Sequence, residues 1–98
     1  MNLAAAEKAF RALGNAKRLK IIRVLVDQSS GRLAASAIAQ KLGVPESTLS
    51  LHLRVLTEAK LVHWIDNGRS RIYYTKPETM KSLGEFVAKM RIRRRRLV

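Results

Sequence analysis

The chain has 98 residues, and its 20 Lys and Arg against 7 Asp and Glu give a formal net charge of +13 at pH 7. Such an excess of positive charge predicts a polyanionic partner, and 47% hydrophobic residues predict one folded domain rather than disorder. The absence of cysteine excludes disulfides, thiolate metal sites and thiol redox sensing. No apolar run approaches the roughly 18 to 20 residues of a membrane span, and the N-terminus lacks a signal-peptide pattern, so a cytoplasmic location is expected.

Two helices are predicted in the first third of the chain. Residues 3–13 carry an apolar stripe at helical spacing, and Asn15 is a good N-cap for a second helix over residues 16–28. The stripe of the first helix consists of Leu3, Ala6, Phe10 and Leu13. The second helix has a wide apolar arc, which indicates the central helix of the core. Its apolar residues are Leu19, Ile21, Ile22, Leu25 and Val26.

Residues 36–56 predict a helix-turn-helix. A short helix capped by Ser36 ends in a turn at Gly43, and a second helix opens at Pro45. A very short strand at Arg32 and Leu33 precedes them. The second helix has one face suited to a core, composed of Leu49, Leu53 and Leu56. Its other face carries small hydrogen-bonding groups and a cation, which suit phosphates and base edges in a major groove.

A β-hairpin and a last helix are predicted next. Residues 61–65 and 70–75 are rich in β-formers and flank Asp66-Asn67-Gly68, where Asn-Gly is a strong hairpin signal. A hairpin directly after a recognition helix is the wing of a winged helix. Pro77 fits the first turn of a helix over about residues 77–91. This helix carries a second apolar stripe, formed by Met80, Leu83, Phe86, Val87 and Met90.

The predicted fold is therefore mostly α with a small β-hairpin wing, in the order α-α-(β)-α-α-β-β-α. The winged core does not need the apolar stripes of both the first and the last helix, so we expect these two stripes to form the interface of a two-fold dimer. Residues 1–90 form this domain, and residues 91–98 form a basic tail with five arginines between positions 91 and 96. We expect the tail to bind phosphate and to add affinity and salt dependence without sequence preference.

Three segments resemble motifs of the ArsR/SmtB family of winged-helix repressors. Residues 12–22, ALGNAKRLKII, are similar to the family's "ALADPTRLRIL". Residues 42–56, LGVPESTLSLHLRVL, are similar to "LGLSQSTVSHHLKVL", and residues 59–74 match "AGLV…GRWVYY" at their two ends. The resemblance implies a homodimer that joins its first and last helices and binds an inverted repeat in promoter DNA as a repressor.

The sequence departs from this family at its metal sites. The family's thiolate motif, "ELCVCDL", aligns with residues 32–38, where Ala34 and Ser36 fill the two cysteine positions. A second family site needs His on the last helix, and this helix has none. The resemblance therefore implies a member that does not sense metal through the usual sites, and no cofactor is expected.

Eight residues are the predicted contacts to DNA: Ser47, Thr48, Ser50, Leu51, His52, Arg54, Arg69 and Arg71. Ser50 and Leu51 are expected nearest the bases, where Leu51 can touch a thymine methyl group. Arg69 and Arg71 of the wing are expected in a minor groove or on phosphate. Two of these residues have an alternative role: His52 can be an ordinary surface imidazole, and Arg54 can pair with Glu58 four residues on. Arg18, a weaker candidate, can serve the fold as much as the DNA. Lys17 and Lys20 are weaker candidates.

The sequence supports three hypotheses of function. The leading one is a dimeric, sequence-specific transcriptional repressor on the nucleoid. The second is an architectural or RNA-binding winged helix that binds through charge alone. The third is a regulator gated by a small-molecule or protein effector bound between the first and last helices. No arrangement of residues for catalysis is evident, so an enzyme is not expected.

Overall fold

A computed structural model of the chain describes residues 1–91 and confirms the predicted order of elements. The helices are α1 (Leu3–Leu13), α2 (Ala16–Val26), α3 (Ala35–Leu42), α4 (Glu46–Glu58) and α5 (Pro77–Ala88). The strands are β1 (Arg32–Ala34), β2 (Val62–Asp66) and β3 (Arg71–Thr75). Helices α3 and α4 form the helix-turn-helix, and β2 and β3 form the wing, so the fold is a winged helix. Within residues 1–91, no helix is long and apolar enough to cross a membrane.

The predicted cap of α2 is confirmed, whereas the predicted ends of three helices need correction. The Asn15 carboxamide oxygen accepts hydrogen bonds from the backbone N–H groups of Lys17 and Arg18, at 3.0 and 3.2 Å. Helix α2 ends at Val26 rather than residue 28, and α5 ends at Ala88 rather than residue 91, because the chain tightens to i−3 hydrogen bonds after each. Ser36 does not cap α3, because the chain enters this helix directly from β1.

Removal of the Asn15 side chain is expected to lower the free energy of unfolding by about 1 kcal/mol. Asn15→Ala leaves two backbone donors at the start of α2 without their partner, in a helix that carries the fully buried Ile21 and Leu25. Urea denaturation at matched protein concentration measures the loss. The control is Asn2→Ala, which removes the cap of α1 beside the exposed chain terminus and should cost less. An equal or larger loss in the control would contradict this account.

The buried face of α2 is narrower than its apolar pattern predicts. Ile21 and Leu25 are fully buried, whereas Leu19 and Val26 are 52% and 57% exposed, so these two residues lie outside the buried face. Helix α2 nevertheless packs against α1, α3, α4, β1 and β3, which agrees with its predicted central place. The predicted stripe of α4 is confirmed. The core combines residues from the helices and the sheet, with Ile21, Leu25, Ile38, Leu49, Leu53, Leu56, Leu61 and Val62 as its largest fully buried side chains.

The sheet holds the wing at a fixed place beside α4. Strand β3 is central and pairs antiparallel with both β1 and β2, with Trp64 of β2 opposite Tyr73. The connection between β2 and β3 spans residues 67–70 and includes the predicted Asn67-Gly68, and only Gly68 has a positive φ within it, +92°. The Asn67 carboxamide accepts from the N–H groups of Arg69 and Ser70, and the Asn67 N–H donates to the Ser70 carbonyl oxygen at 3.2 Å, so side-chain and backbone hydrogen bonds close the loop together.

Candidate nucleic-acid interface

An open groove of about 450 Å³ separates α4 from the wing. It combines hydroxyl groups, two guanidinium groups and two aromatic rings, with one apolar side chain. The lining residues are Ser47, Ser50, Leu51, Arg54, Thr57, Trp64, Arg71 and Tyr73. Hydroxyl and guanidinium groups can bind both phosphate oxygens and base edges, so the groove has the chemistry of a DNA-reading surface.

The outer face of α4 lies opposite its buried stripe. Leu49, Leu53 and Leu56 point into the core, which turns Ser47, Leu51 and Arg54 outward. Leu51 is 56% exposed, although it is as apolar as its buried neighbours. An exposed leucine in the middle of a polar helix face is suited to an apolar contact such as a thymine methyl group.

The two cationic side chains of the groove differ in how they are held. The Arg71 guanidinium carbon lies 3.9 Å from the centroid of the Trp64 ring, a cation–π contact that orients Arg71 on the wall of the wing. Within residues 1–91 the structure shows one ion pair, between Arg11 and Glu7, and the alternative pair of Arg54 with Glu58 is not formed. Arg54 is exposed and lines the groove without a charged partner among the described residues.

Three residues of the groove are absent from the predicted DNA contacts. The Thr57 hydroxyl donates to the Leu53 carbonyl oxygen at 2.7 Å, and Trp64 and Tyr73 form the wall that supports Arg71. Trp64 could have been assigned to the groove from the alternation of side chains along a strand. In the hairpin register Trp64 is diagonal to Arg71, so both side chains lie on the same face of the sheet.

The remaining predicted contacts lie outside this groove. Arg69 is exposed in the loop at the tip of the wing. Thr48 and His52, four residues apart, share the flank of α4 that faces α2. His52 lies close to Arg18 of α2, with 3.2 Å between its Nδ1 and the Arg18 Nη1. Partial burial, followed by the charges of Arg18 and Lys17, lowers the pKa of His52 from its ordinary value of 6.5.

The predicted dimer residues of α1 and α5 lie side by side, but not all of them are exposed. The rings of Phe10 and Phe86 meet edge to face, with centroids 6.1 Å apart, and join the two helices. Ala6 and Leu83 are already buried within one chain. Leu13, Met80 and Phe86 are half-buried. The apolar side chains left exposed on this surface are Leu3, Phe10, Val87 and Met90, of which Met90 lies just beyond the end of α5.

The positions that the family resemblance assigns to metal-binding cysteines lie at the junction of β1 and α3. Ala34 ends the strand and Ser36 lies in the first turn of the helix. Neither side chain is a thiolate, and no group of three His, Cys, Asp or Glu side chains that could hold a metal ion occurs in the part of the chain that the structure describes.

Comparison with known proteins identifies the fold and the family. The model of the family described as helix-turn-helix domain matches residues 13–63, just over half of the chain. The chain is 29% identical over 82 residues to an uncharacterized helix-turn-helix-type transcriptional regulator from Methanocaldococcus jannaschii, a match that covers 84% of this chain and 90% of the relative.

Two solved structures are similar over most of their length. NolR from Sinorhizobium fredii is 31% identical with a TM-score of 0.69, over 89% of this chain and 85% of that one. The homodimeric winged helix-turn-helix DNA-binding domain of a possible ArsR-family transcriptional regulator from Mycobacterium bovis is 29% identical with a TM-score of 0.71, over 89% of this chain and 81% of that one. The chain belongs to the helix-turn-helix domain family, as a winged helix of the ArsR/SmtB type.

Proposed function

We propose that this chain, a DNA-binding transcriptional regulator by its family, acts as a homodimeric repressor that binds an inverted repeat. The observation that carries the proposal is the groove between α4 and the wing, because an exposed leucine, two serines and two arginines converge there. In this proposal α4 enters the major groove, where Ser47, Ser50 and Leu51 contact base edges and phosphates. Arg54, Thr48 and His52 contact the adjoining backbone, and Arg69 and Arg71 reach from the wing into the minor groove or to phosphate.

The dimer is proposed to form through α1 and α5. The exposed Leu3, Phe10, Val87 and Met90 give these two helices an apolar surface that the fold of one chain leaves uncovered. The related domain from Mycobacterium bovis is a homodimer. A two-fold dimer would present two copies of α4 about one helical turn of DNA apart, about 34 to 36 Å, which suits an inverted repeat.

The domain boundary and the tail belong to the same proposal. Residues 1–90 act as the DNA-binding and dimerisation domain, and the basic tail at 91–98 binds phosphate without sequence preference. Most of this tail lies outside the described residues, and the charge of its five arginines supports its proposed role. A regulator of this kind works in the cytoplasm on the nucleoid, without a cofactor and without response to metal through the usual family sites.

The competing hypotheses predict different binding preferences. A charge-driven architectural or RNA-binding protein would bind duplex DNA, single strands and RNA with similar affinity. A regulator gated by an effector would bind DNA specifically only with, or only without, its ligand. The test is titration of the metal-free chain into each of these nucleic acids at about 150 mM salt, where non-specific binding is suppressed. We expect preference for duplex DNA with two chains per site, whereas equal affinity for all would overturn the proposal.

A further inference from the structure

A second cluster of polar and charged side chains lies on the flank of α4 away from the wing. A cleft of about 50 Å³ separates α4 from α2 and from the turn between α3 and α4. Apolar side chains form its floor, namely Ile21, Leu42, Val44 and Leu49. Lys17 and Lys20 of α2 and His52 of α4 line the same cleft. All three polar residues are thus gathered beside the first two turns of the DNA-reading helix.

The Arg18 side chain is used within the fold, where its contacts occupy three of the five guanidinium N–H donors. Its Nε donates to the backbone carbonyl oxygen of Ala12, and one terminal nitrogen donates to that of Arg11 at 3.4 Å. The other terminal nitrogen lies 3.2 Å from His52 Nδ1. Arg18 therefore ties the last turn of α1 to the recognition helix, which is the structural role that the sequence left open.

The contact with Arg18 fixes the tautomer of His52. A guanidinium group has only donors, so His52 Nδ1 must accept and the ring must be neutral with its proton on Nε2. A protonated ring would direct an N–H at the guanidinium and lose the contact. The lowered pKa of His52, caused by partial burial and by Arg18 and Lys17, keeps the ring neutral at physiological pH.

The backbone at the start of α2 is already satisfied and cannot supply the ligand contacts. The Asn15 carboxamide accepts from the N–H groups of Lys17 and Arg18. Any anion in the cleft must therefore be bound by side chains, and those available are two ammonium groups and one imidazole N–H. This set of donors matches a phosphate group, with no carboxylate among the cleft residues to oppose it.

We propose that Lys17, Lys20 and His52 form a phosphate-binding site for the DNA backbone, in which Arg18 holds His52 as the tautomer that donates through Nε2. The inference rests on the proposed function, because the phosphate belongs to the duplex that α4 reads. The site fixes the position of α4 on the DNA and contributes affinity without reading bases. The chain then contacts DNA on both flanks of α4, through the wing on one side and through α2 on the other.

The tautomer is tested by long-range proton–nitrogen NMR of the full chain without DNA, where His52 and His63 are the only histidines. We expect His52 as the Nε2–H tautomer, with a pKa below 6.5. Arg18→Lys keeps the charge but cannot reach the α1 carbonyl and His52 together, so the pure tautomer should become a mixture. An Nδ1–H tautomer in the unaltered chain would overturn the proposal.

The phosphate site is tested with a mixed-sequence DNA duplex. His52→Asn keeps an acceptor for Arg18 but loses the Nε2 donor, so affinity should fall about tenfold. His52→Gln, which keeps a donor near the Nε2 position, should bind more tightly than His52→Asn. The salt slope is the steepness with which the logarithm of the binding constant falls with the logarithm of salt concentration. Lys20→Ala should reduce this slope by about 2 for a dimer, at about 0.9 for each phosphate. The control Lys8→Ala should change neither, because Lys8 lies beside Glu58 and Lys60 at the far end of α4.

The two proposals fail in different ways. Duplex binding that His52→Asn and Lys20→Ala leave unchanged would overturn this site, and with it the backbone contact of His52, but not DNA binding by the groove between α4 and the wing. A chain that does not bind duplex DNA at all would overturn the proposed function and the site together, whatever the tautomer of His52. Loss of affinity for one selected sequence but not for mixed-sequence DNA would assign His52 to base reading and would also overturn the phosphate site.

Discussion

A chain that carries Val87→Glu is expected to be monomeric and to bind its DNA site at least about 100-fold more weakly. Val87 is 48% exposed on α5, beside the contact of Phe10 with Phe86. In the proposed dimer the substitution places one carboxylate from each chain in an apolar interface, and an unpaired buried charge costs several kcal/mol. A monomer then loses the gain in affinity from linking two half-sites. Sedimentation equilibrium and DNA titration measure the two effects.

The matched control is Val26→Glu. Val26 is 57% exposed on α2, so this variant makes the same chemical change at a similar exposure but away from α1 and α5. It should remain a dimer and bind DNA with nearly unchanged affinity. A dimeric Val87→Glu chain, or a monomeric Val26→Glu chain, would mean that the interface lies elsewhere than on α1 and α5.

The double variant Ser50→Ala with Leu51→Ala is expected to lose discrimination between sequences. Each good base contact contributes about 1 to 3 kcal/mol of discrimination, so the ratio of specific to random affinity should fall at least about tenfold. Affinity for random DNA should change little, because phosphate contacts are retained. Titrations with a selected duplex and a random one measure the ratio. Leu19→Ala with Ser29→Ala is the control, since Leu19 is 52% exposed and Leu51 56%.

Removal of Arg93 to Arg96 should have the opposite effect. The proposed role of these four arginines is to bind phosphate without base contact, so affinity should fall on selected and random DNA alike. The salt slope should fall by as much as about 7 for a dimer, at about 0.9 for each phosphate. If the double variant also lost affinity equally on selected and random DNA, as the tail deletion is expected to do, this division of roles would be contradicted.

The sequence predicted the fold well where periodic and punctuating signals agreed. Asn15, Gly43 and Pro77 mark helix boundaries through capping, a left-handed turn and a fixed φ, and all three lie where these signals place them. Signals of this kind act over one turn of chain. The predictions placed the ends of α2 and α5 two and three residues too late, because fraying into i−3 hydrogen bonds depends on the spatial neighbours of the helix end.

The site was harder to predict because it depends on packing between distant elements. Helical spacing gives the buried and exposed faces of α4, but not that the wing covers one flank and α2 the other. The role of Arg18 depends on the last turn of α1 and on His52, 34 residues away, and no local pattern contains that contact. Similarly, Leu19 and Val26 match the helical period of a core face, yet no element within residues 1–91 covers them. The assignment of individual DNA contacts stays a prediction.

The most direct test of a dimer that reads sequence is selection of binders from random duplex DNA by the full-length chain, without metal or effector, at about 150 mM salt. We predict enrichment of one inverted repeat whose half-sites are centred about 34 to 36 Å apart along the helix. Sequences bound by the Ser50→Ala, Leu51→Ala chain should show weaker enrichment of the same repeat. Binding that disappears with rising salt and enriches no sequence would contradict the account.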